Sequence, residues 1–257
     1  MLKTISLQKK ELNYHDKITN KINSTFNFLP SEFWESKPII SGSYAINLLF
    51  KPAAEYSDVD FYFETLEDLQ NARAIINTID GCIEKEFFNC INYEFNNMKF
   101  QLIKKYLLPA KKLIYTHDFK NSSIAIQGEV ITIDDELFGL YNSSTLSIRT
   151  TQITNEMSEK DTLLKIGNLL NRIAKYIHRY ELALDEPSLD LLSNLKRYLS
   201  KVPIKTKQKV VINTSIYYNN TFNPLQNNLR SMHEVEQYLD ALISQPDIAE
   251  DELVLEF

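Results

Sequence analysis

Glycine is scarce in this chain, five residues in 257, and proline adds only eight. Collagen-like and linker-dominated readings are thereby excluded. Cysteine is scarcer still. Cys82 and Cys90 are too few for a disulfide framework, and no Cys/His group has zinc spacing, so two free thiols in a reducing compartment are expected. No stretch approaches the roughly 18 consecutive apolar residues that read as a membrane span. The N-terminal MLKTISLQKKELNYHDK lacks the apolar core of a signal peptide. A cytoplasmic protein with no membrane partner is the expectation. Basic charge is in deficit too: the net charge is −6 and the pI near 5.4. A whole-molecule electrostatic footprint for nucleic acid is therefore missing, and any such surface has to be local. What remains is an ordinary globular composition in a chain long enough to bury a sizeable core. Oligomeric state is not legible.

The informative stretch is ISGSYAINLLFKPAAEYSDVDFYF, residues 40–63. Residues 38–40 read as a short strand. Residues 43–50 read as a helix whose apolar face is Ala45, Ile46, Leu48 and Leu49, and Pro52 ends it in a loop over 51–57. Val59, Phe61 and Phe63 then alternate with Asp58, Asp60 and Tyr62, the period of a strand. Residues 7–27 read as an exposed or capping helix and 66–79 as an amphipathic one. Strand-like segments lie near 82–94, 97–105, 113–126 and 129–133, and no internal repeat is visible. This order predicts an α/β or α+β sheet domain. After residue 150 the texture becomes helical. Leu163, Ile166, Leu170, Ile173 and Ile177 form a stripe over 161–180. Asp185-Glu186-Pro187-Ser188 opens a helix running to about residue 200. Residues 202–228 are rich in Asn and include one strand-like piece, 210–218. A last helix covers 231–244, and the acidic tail DIAEDELVLEF is frayed or docked at an edge. A boundary near 150–156 divides the chain into domains 1–152 and 153–257.

In a strand, residues i and i+2 share a face, so Asp58 and Asp60 are neighbours roughly 6–7 Å apart. Their repulsion gains a folded protein nothing, but a divalent cation between them turns it into attraction. Mg²⁺ takes hard oxygen ligands and leaves positions for substrate phosphates, which is what phosphoryl or nucleotidyl transfer needs. A bare Asp-x-Asp also suits a solvated strand face. The preceding turn tips the balance: Gly42-Ser43 opens a helix, and a helix N-terminus is an anion site. Ser43 can cap that helix or offer its hydroxyl to a phosphate.

These residues resemble the nucleotidyltransferase signature of the polymerase-β superfamily. More narrowly, they are similar to the head domain of class II poly(A) polymerases and CCA-adding enzymes. Residues 42–49, GSYAINLL, line up with that family's Gly-Gly-x-x-Arg-Asp block, and Asp58-Val59-Asp60 with its Asp-x-Asp. In residues 116–139, Asp118-Phe119 and Asn121 match its Arg-Arg-Asp-Phe-Thr-Ile-Asn-Ala segment. In residues 169–192, Arg172, Lys175 and Tyr176 fall on its Leu-Arg-x-x-Arg-Phe helix. The three blocks keep the family's order across residues 38–195. The departures are Ser43 for the second Gly, Ile46-Asn47 for Arg-Asp, His117 for the Arg before Asp118, and the missing long helical body and tail. A short relative, of the kind bacteriophages and mobile elements carry, fits better than a true CCA-adding enzyme.

The resemblance implies an α+β fold: a mixed sheet with flanking helices, followed by a mainly helical C-terminal region. It implies a Mg²⁺-dependent enzyme, Mn²⁺ being the alternative metal, that transfers a nucleoside monophosphate from an NTP to an acceptor hydroxyl on RNA or tRNA. Asp58 and Asp60 would hold the metal and carry catalysis, Asp118 would join them as a catalytic residue lining the nucleotide, and Gly42 and Ser43 would cradle phosphates. Read from the residues alone, Asp118 could equally be a turn aspartate. Lys165, Arg172, Lys175 and Arg179 share the helix face opposite the apolar stripe, which suits a triphosphate, an RNA backbone or plain solvent. Lys104, Lys105, Lys111 and Lys112 read as a basic surface loop. Superfamily members commonly add a third carboxylate. Here the FQLIK strand offers Gln101, leaving Glu94 and Asp118 as candidates. Two rival readings stay open: a non-catalytic nucleotide- or RNA-binding relative, and a toxin-like or antibiotic-modifying transferase.

Overall fold

A computed structural model describes residues 2–5, 12–53, 58–149, 157–210, 212 and 229–244. The chain divides into two compact units, Met1–Arg149 with Arg179–Leu182, and Thr150–His178 with Ala183–Phe257.

The first unit is built on one eight-stranded sheet. Its strands in chain order are β1 (Leu2–Ile5), β2 (Ile39–Ser41), β3 (Val59–Phe63), β4 (Ile83–Glu86), β5 (Cys90–Phe95), β6 (Met98–Leu107), β7 (Ile124–Gln127) and β8 (Val130–Asp134). They lie side by side as β1-β8-β7-β2-β3-β6-β5-β4. β3 and β6 run parallel. The other pairings in the sheet are antiparallel. The sheet is thus mixed, as the fold class requires.

Alternation along the strands gives the sheet two different faces. Phe61 of β3, Phe100 of β6 and Tyr93 of β5 point to one side and are buried. There they meet Phe26, which follows α1 (Leu12–Thr25), and Phe33 of α2 (Ser31–Glu35). Phe26 and Phe33 lie 5.1 and 5.2 Å from the Phe61 ring, and Tyr93 stacks on Phe100 at 5.2 Å. Leu69, Ala72 and Ile76 of α4 (Leu66–Ile76) are also buried. Each fully buried ring stabilises the fold by about 1.5–3 kcal/mol, so this layer carries much of the unit. On the opposite face, Ile39, Tyr62 and Ala125 pack with Leu113 and Ile114 at the end of α5 (Ala110–Leu113). Ser41, Asp60 and Gln101 share that second face.

Three local readings change. Residues 82–94 form not one strand but the hairpin β4/β5, closed where the Phe87 N–H donates to the Cys90 carbonyl at 2.8 Å. Residues 113–126 are mostly not strand. Pro109, with φ −57°, presets the start of α5, a 3-10 turn spans Lys120–Ser122, and β7 begins only at Ile124. Its apolar residues are buried by packing rather than pairing. The four-residue β1 was not expected; it extends the sheet by pairing with β8, after which a short α6 (Leu137–Asn142) follows.

Among the described residues the second unit is mainly helical, with one two-residue strand, Ala183–Leu184. Most of α7 (Glu159–Tyr180) belongs to it, with Leu163, Ile166, Leu170 and Ile173 fully buried. A Cβ on Gly167 would collide with the Ile212 side chain, so this helix is packed tightly there. α8 (Glu186–Lys201) starts as its sequence signals: the Asp185 carboxylate accepts the Ser188 N–H at 2.9 Å, with Pro187 in the first turn. A short α9 (Ile204–Lys207) follows. α10 (Met232–Ile243) opens with a reciprocal capping box between Ser231 and Glu234. Residues 7–11 of the expected first helix, the boundary at 150–156, all of the 210–218 strand except Val210 and Ile212, and the acidic tail lie outside the described residues. No helix among the described residues is long and apolar enough to cross a membrane.

Candidate active site

The strand register places the acids. On β3, Asp60 stands opposite Ser41 of β2 on one side and Gln101 of β6 on the other. Gln101 in turn stands opposite Asn92 of β5, and Asn92 opposite Lys85 of β4. Register partners share a face, so a polar row crosses five strands with Asp60 within it. Asp58 precedes β3 by one residue, and its Oδ2 accepts a hydrogen bond from Gln101 Nε2 at 2.6 Å. One amide thus sits beside Asp60 and bonds to Asp58, and both carboxylates belong to one side of the sheet. Both residues are half-buried. The Cys90 thiol reports the same field. Its pKa is pushed up by burial first, then by Asp60, with a further contribution from Asp58.

The Gly42 turn reaches this side as well. β2 ends at Ser41 and α3 (Gly42–Leu49) begins at the next residue. Gly42 has φ +74°, and a Cβ there would lie 2.9 Å from Asp60 Oδ2. Backbone and carboxylate approach this closely only because the side chain is absent. Ser43 is the second residue of α3 and not its cap. The capping position belongs to Ser41, whose hydroxyl makes no cap bond. That hydroxyl lies 2.8 Å from His117 Nε2 and donates to the Ile124 carbonyl at 2.5 Å.

His117 is buried, edge-on to Tyr62 with ring centres 6.1 Å apart. Through it the 116–119 segment reaches Ser41. Asp118 is nearly buried, and its carbonyl accepts the Arg149 N–H at 2.6 Å. Arg149 carries no signal in the sequence, because it stands alone, outside any motif. It spans the region behind this segment: Nη1 donates to the Ile114 carbonyl at 2.6 Å, Nη2 to Asp134 at 2.7 Å, and the guanidinium lies 4.8 Å over the Tyr115 ring.

The two candidates for a third carboxylate do not complete a cluster. Glu94 is exposed and paired in register with Lys99. Among the described residues, no three His, Cys, Asp or Glu side chains come together as a metal group. Two partly exposed carboxylates on one face, one of them held by a neutral amide, are a donor set of hard oxygens. They fit Mg²⁺ or Mn²⁺, which completes its shell with phosphate and water. Lys165, Arg172 and Lys175 belong to the second unit, where each is half-buried. Arg179, in the first unit, has Nε and Nη1 buried without a hydrogen-bond partner. Of the other basic cluster, Lys104 is paired with Glu86 at 2.8 Å, and Lys111 and Lys112 are exposed on α5.

No protein-family model and no curated protein matches the chain. Its fold does have counterparts. The sheet and helices are similar in arrangement to those of CCA-adding enzymes. A Thermotoga maritima CCA-adding enzyme complexed with tRNA superposes with a TM-score of 0.50 at 15% identity, over 78% of this chain and 46% of that one. A CCA-adding enzyme complexed with ATP gives 0.53 at 16% identity, over 80% and 49%. One complexed with CTP gives 0.52 at 16%, over 78% and 48%. The likeness is one of fold, and the present chain matches about half the length of these neighbours.

Proposed function

We propose that this chain is a metal-dependent nucleotidyltransferase, moving a nucleoside monophosphate from an NTP to a hydroxyl on an RNA acceptor, tRNA being the acceptor class the structural neighbours suggest. The observation that carries the reading is the Gly42 turn lying against Asp60 while Asp58 shares its side of the sheet. In this reading Asp58 and Asp60 hold Mg²⁺ or Mn²⁺. The ion, when bound, neutralises phosphate charge and lowers the cost of the charge that develops in transfer.

The chain's own groups supply positioning. Gln101 orients the Asp58 carboxylate through its amide. Gly42 lets the turn pack against Asp60, which brings the Ser43 hydroxyl and the first turn of α3 close by as donors to phosphate oxygens. Asp118 lines the nucleotide. The acceptor oxygen bonds to the α-phosphorus, the α–β bridging P–O bond breaks, pyrophosphate leaves, and the acceptor proton is lost to solvent. Catalysis comes from alignment and charge neutralisation rather than from a covalent intermediate.

The test is incubation with each labelled NTP, Mg²⁺ and total cellular RNA. Asp58→Asn and Asp60→Asn are each expected to lower labelling by ~10²-fold or more with the circular dichroism spectrum unchanged. Full incorporation by the double variant would sink the reading. Gln101, standing beside Asp60 where a carboxylate could sit, favours a second reading, a relative that binds NTP without turning it over. Calorimetric NTP binding with no pyrophosphate release would select that one.

A further inference from the structure

Ser41, His117 and Ile124 form a buried hydrogen-bond chain immediately before the Gly42 turn. Its proton positions follow by accounting. A carbonyl only accepts, and a hydroxyl has a single proton. The Ser41 proton therefore goes to the Ile124 carbonyl, and Ser41 Oγ must accept from His117. His117 thus carries a proton on Nε2, whichever charge state it is in. Ser41 is fully buried and His117 is 8% exposed, so water does not substitute for either partner.

We propose that His117 is a positioning residue for the phosphate-binding turn, holding the Ser41 hydroxyl away from the N-terminus of α3. This rests on the nucleotidyltransferase reading. A serine in the residue before a helix ordinarily folds its Oγ back onto the N–H groups of the first turn. Ser41 occupies that place with extended backbone, φ −143° and ψ −173°, yet makes no cap bond. Its oxygen is committed to His117 and its proton to Ile124. The donors of the first turn are those an incoming phosphate uses. Without His117, Ser41 can rotate, cap its own helix and compete with the phosphate. The same rotation loosens Gly42, which packs against Asp60.

The experiment uses the full chain with Mg²⁺ and two probes, NTP and inorganic triphosphate, with binding read by calorimetry and KM separated from kcat. His117→Leu is expected to weaken binding of both probes and raise KM for the NTP about tenfold, the effect of one hydrogen bond. His117→Gln, whose amide can donate from a similar position, should recover most of that. Ser41→Ala in the His117→Leu background should bind triphosphate more tightly than His117→Leu alone, because the competing hydroxyl is gone. A merely structural histidine would make the double variant no better. Unchanged affinity in His117→Leu, failure of the Gln rescue, or no gain in the double variant overturns the proposal. So does a ¹⁵N spectrum of the unaltered protein showing the proton on Nδ1 alone, a measurement that needs no folded variant. A wild type that binds inorganic triphosphate but transfers nothing sinks the transfer reading and leaves these affinities to decide His117. A wild type that binds neither probe overturns both.

Discussion

Gly42 and Asp60 are eighteen positions apart along the chain, yet a methyl group on the first would stand 2.9 Å from a carboxylate oxygen of the second. The contact arises because β2 and β3 are antiparallel partners with Ser41 opposite Asp60, and the chain must leave β2 and enter α3 in a single residue. A φ of +74° makes that turn. Gly42→Ala meets both constraints at once. The left-handed backbone alone costs about 1–2 kcal/mol, and the methyl must push the Asp60 carboxylate or the turn aside. Urea denaturation should show at least that loss, and NTP incorporation should fall further than stability does. Wild-type stability and activity in this variant would show that turn and carboxylate are not held together.

Arg149 and Asp134 pair at 2.7 Å with side chains only 10% and 13% exposed. Burial pulls the Arg149 pKa down and Asp134 opposes that, without threatening its charge at any ordinary pH. Removing one member of a buried pair strands the other. Arg149→Met is expected to cost about 3–5 kcal/mol in urea denaturation. Arg149→Lys should recover only part, since one ammonium cannot reproduce the fork that reaches both Asp134 and the Ile114 carbonyl. A loss below about 1 kcal/mol, the range of an exposed pair, would contradict the burial.

What was legible in the sequence is what local periodicity encodes. Val59, Phe61 and Phe63 mark β3 because the strand buries alternate residues, and Asp185 with Pro187 marks the start of α8 because capping is a matter of three or four neighbours. The β4/β5 hairpin was not legible, since Phe87-Phe88-Asn89 contains neither glycine nor proline. Residues 113–126 misled for the opposite reason: their apolar side chains are buried by turns and a short helix, which a hydrophobic count does not distinguish from a strand. Within the candidate site, Asp58, Asp60, Gly42 and Gln101 could be singled out by type and order. The strand period also makes Asp58 and Asp60 neighbours, but it does not give the contact of Gly42 with Asp60 or the Gln101–Asp58 bond, nor the Ser41–His117 bond, which joins residues 76 apart and exists only once β2 and the 116–119 segment are folded side by side.

Glu84 supplies an acid-sensitive element on the aromatic side of the sheet. It accepts hydrogen bonds from Arg73 at 2.5 Å and from the Tyr93 hydroxyl at 2.6 Å. The Arg73 bond is the main reason its pKa lies below the ordinary glutamate value, with Tyr93 assisting against burial. A lowered folded-state pKa gives stability that is present above the unfolded value of about 4.3 and lost as the pH falls through the folded one. Arg73 is about one-third exposed, so screening limits the gain to about 1 kcal/mol. Glu84→Gln should therefore be slightly less stable at pH 7 and lose less on acidification below about pH 4.3. Urea midpoints measured from pH 7 to pH 3 check this. Parallel curves for the two proteins would show that the Arg73–Glu84 bond is not maintained in solution.

Gln101 is the position where metal binding can be separated from turnover. Its amide donates to Asp58, and its backbone neighbour across the sheet is Asp60. Gln101→Glu exchanges a neutral donor for a third negative charge. Without metal, three carboxylates repel, so the metal-free variant should melt at a lower temperature than the wild type. With metal the order changes, because a ligand that binds only the folded state adds stability in proportion to the logarithm of its concentration over Kd. A third hard oxygen donor should lower Kd for Mg²⁺ and Mn²⁺. The rise in melting temperature on adding either ion should then be larger in Gln101→Glu than in the wild type, and chelation should reverse it in both. If neither protein responds to Mg²⁺ or Mn²⁺, Asp58 and Asp60 are not a cation site, whatever the transfer assay shows. A response in the wild type that vanishes in Gln101→Glu would mean that the amide, by orienting Asp58, matters more to the ion than an added charge does.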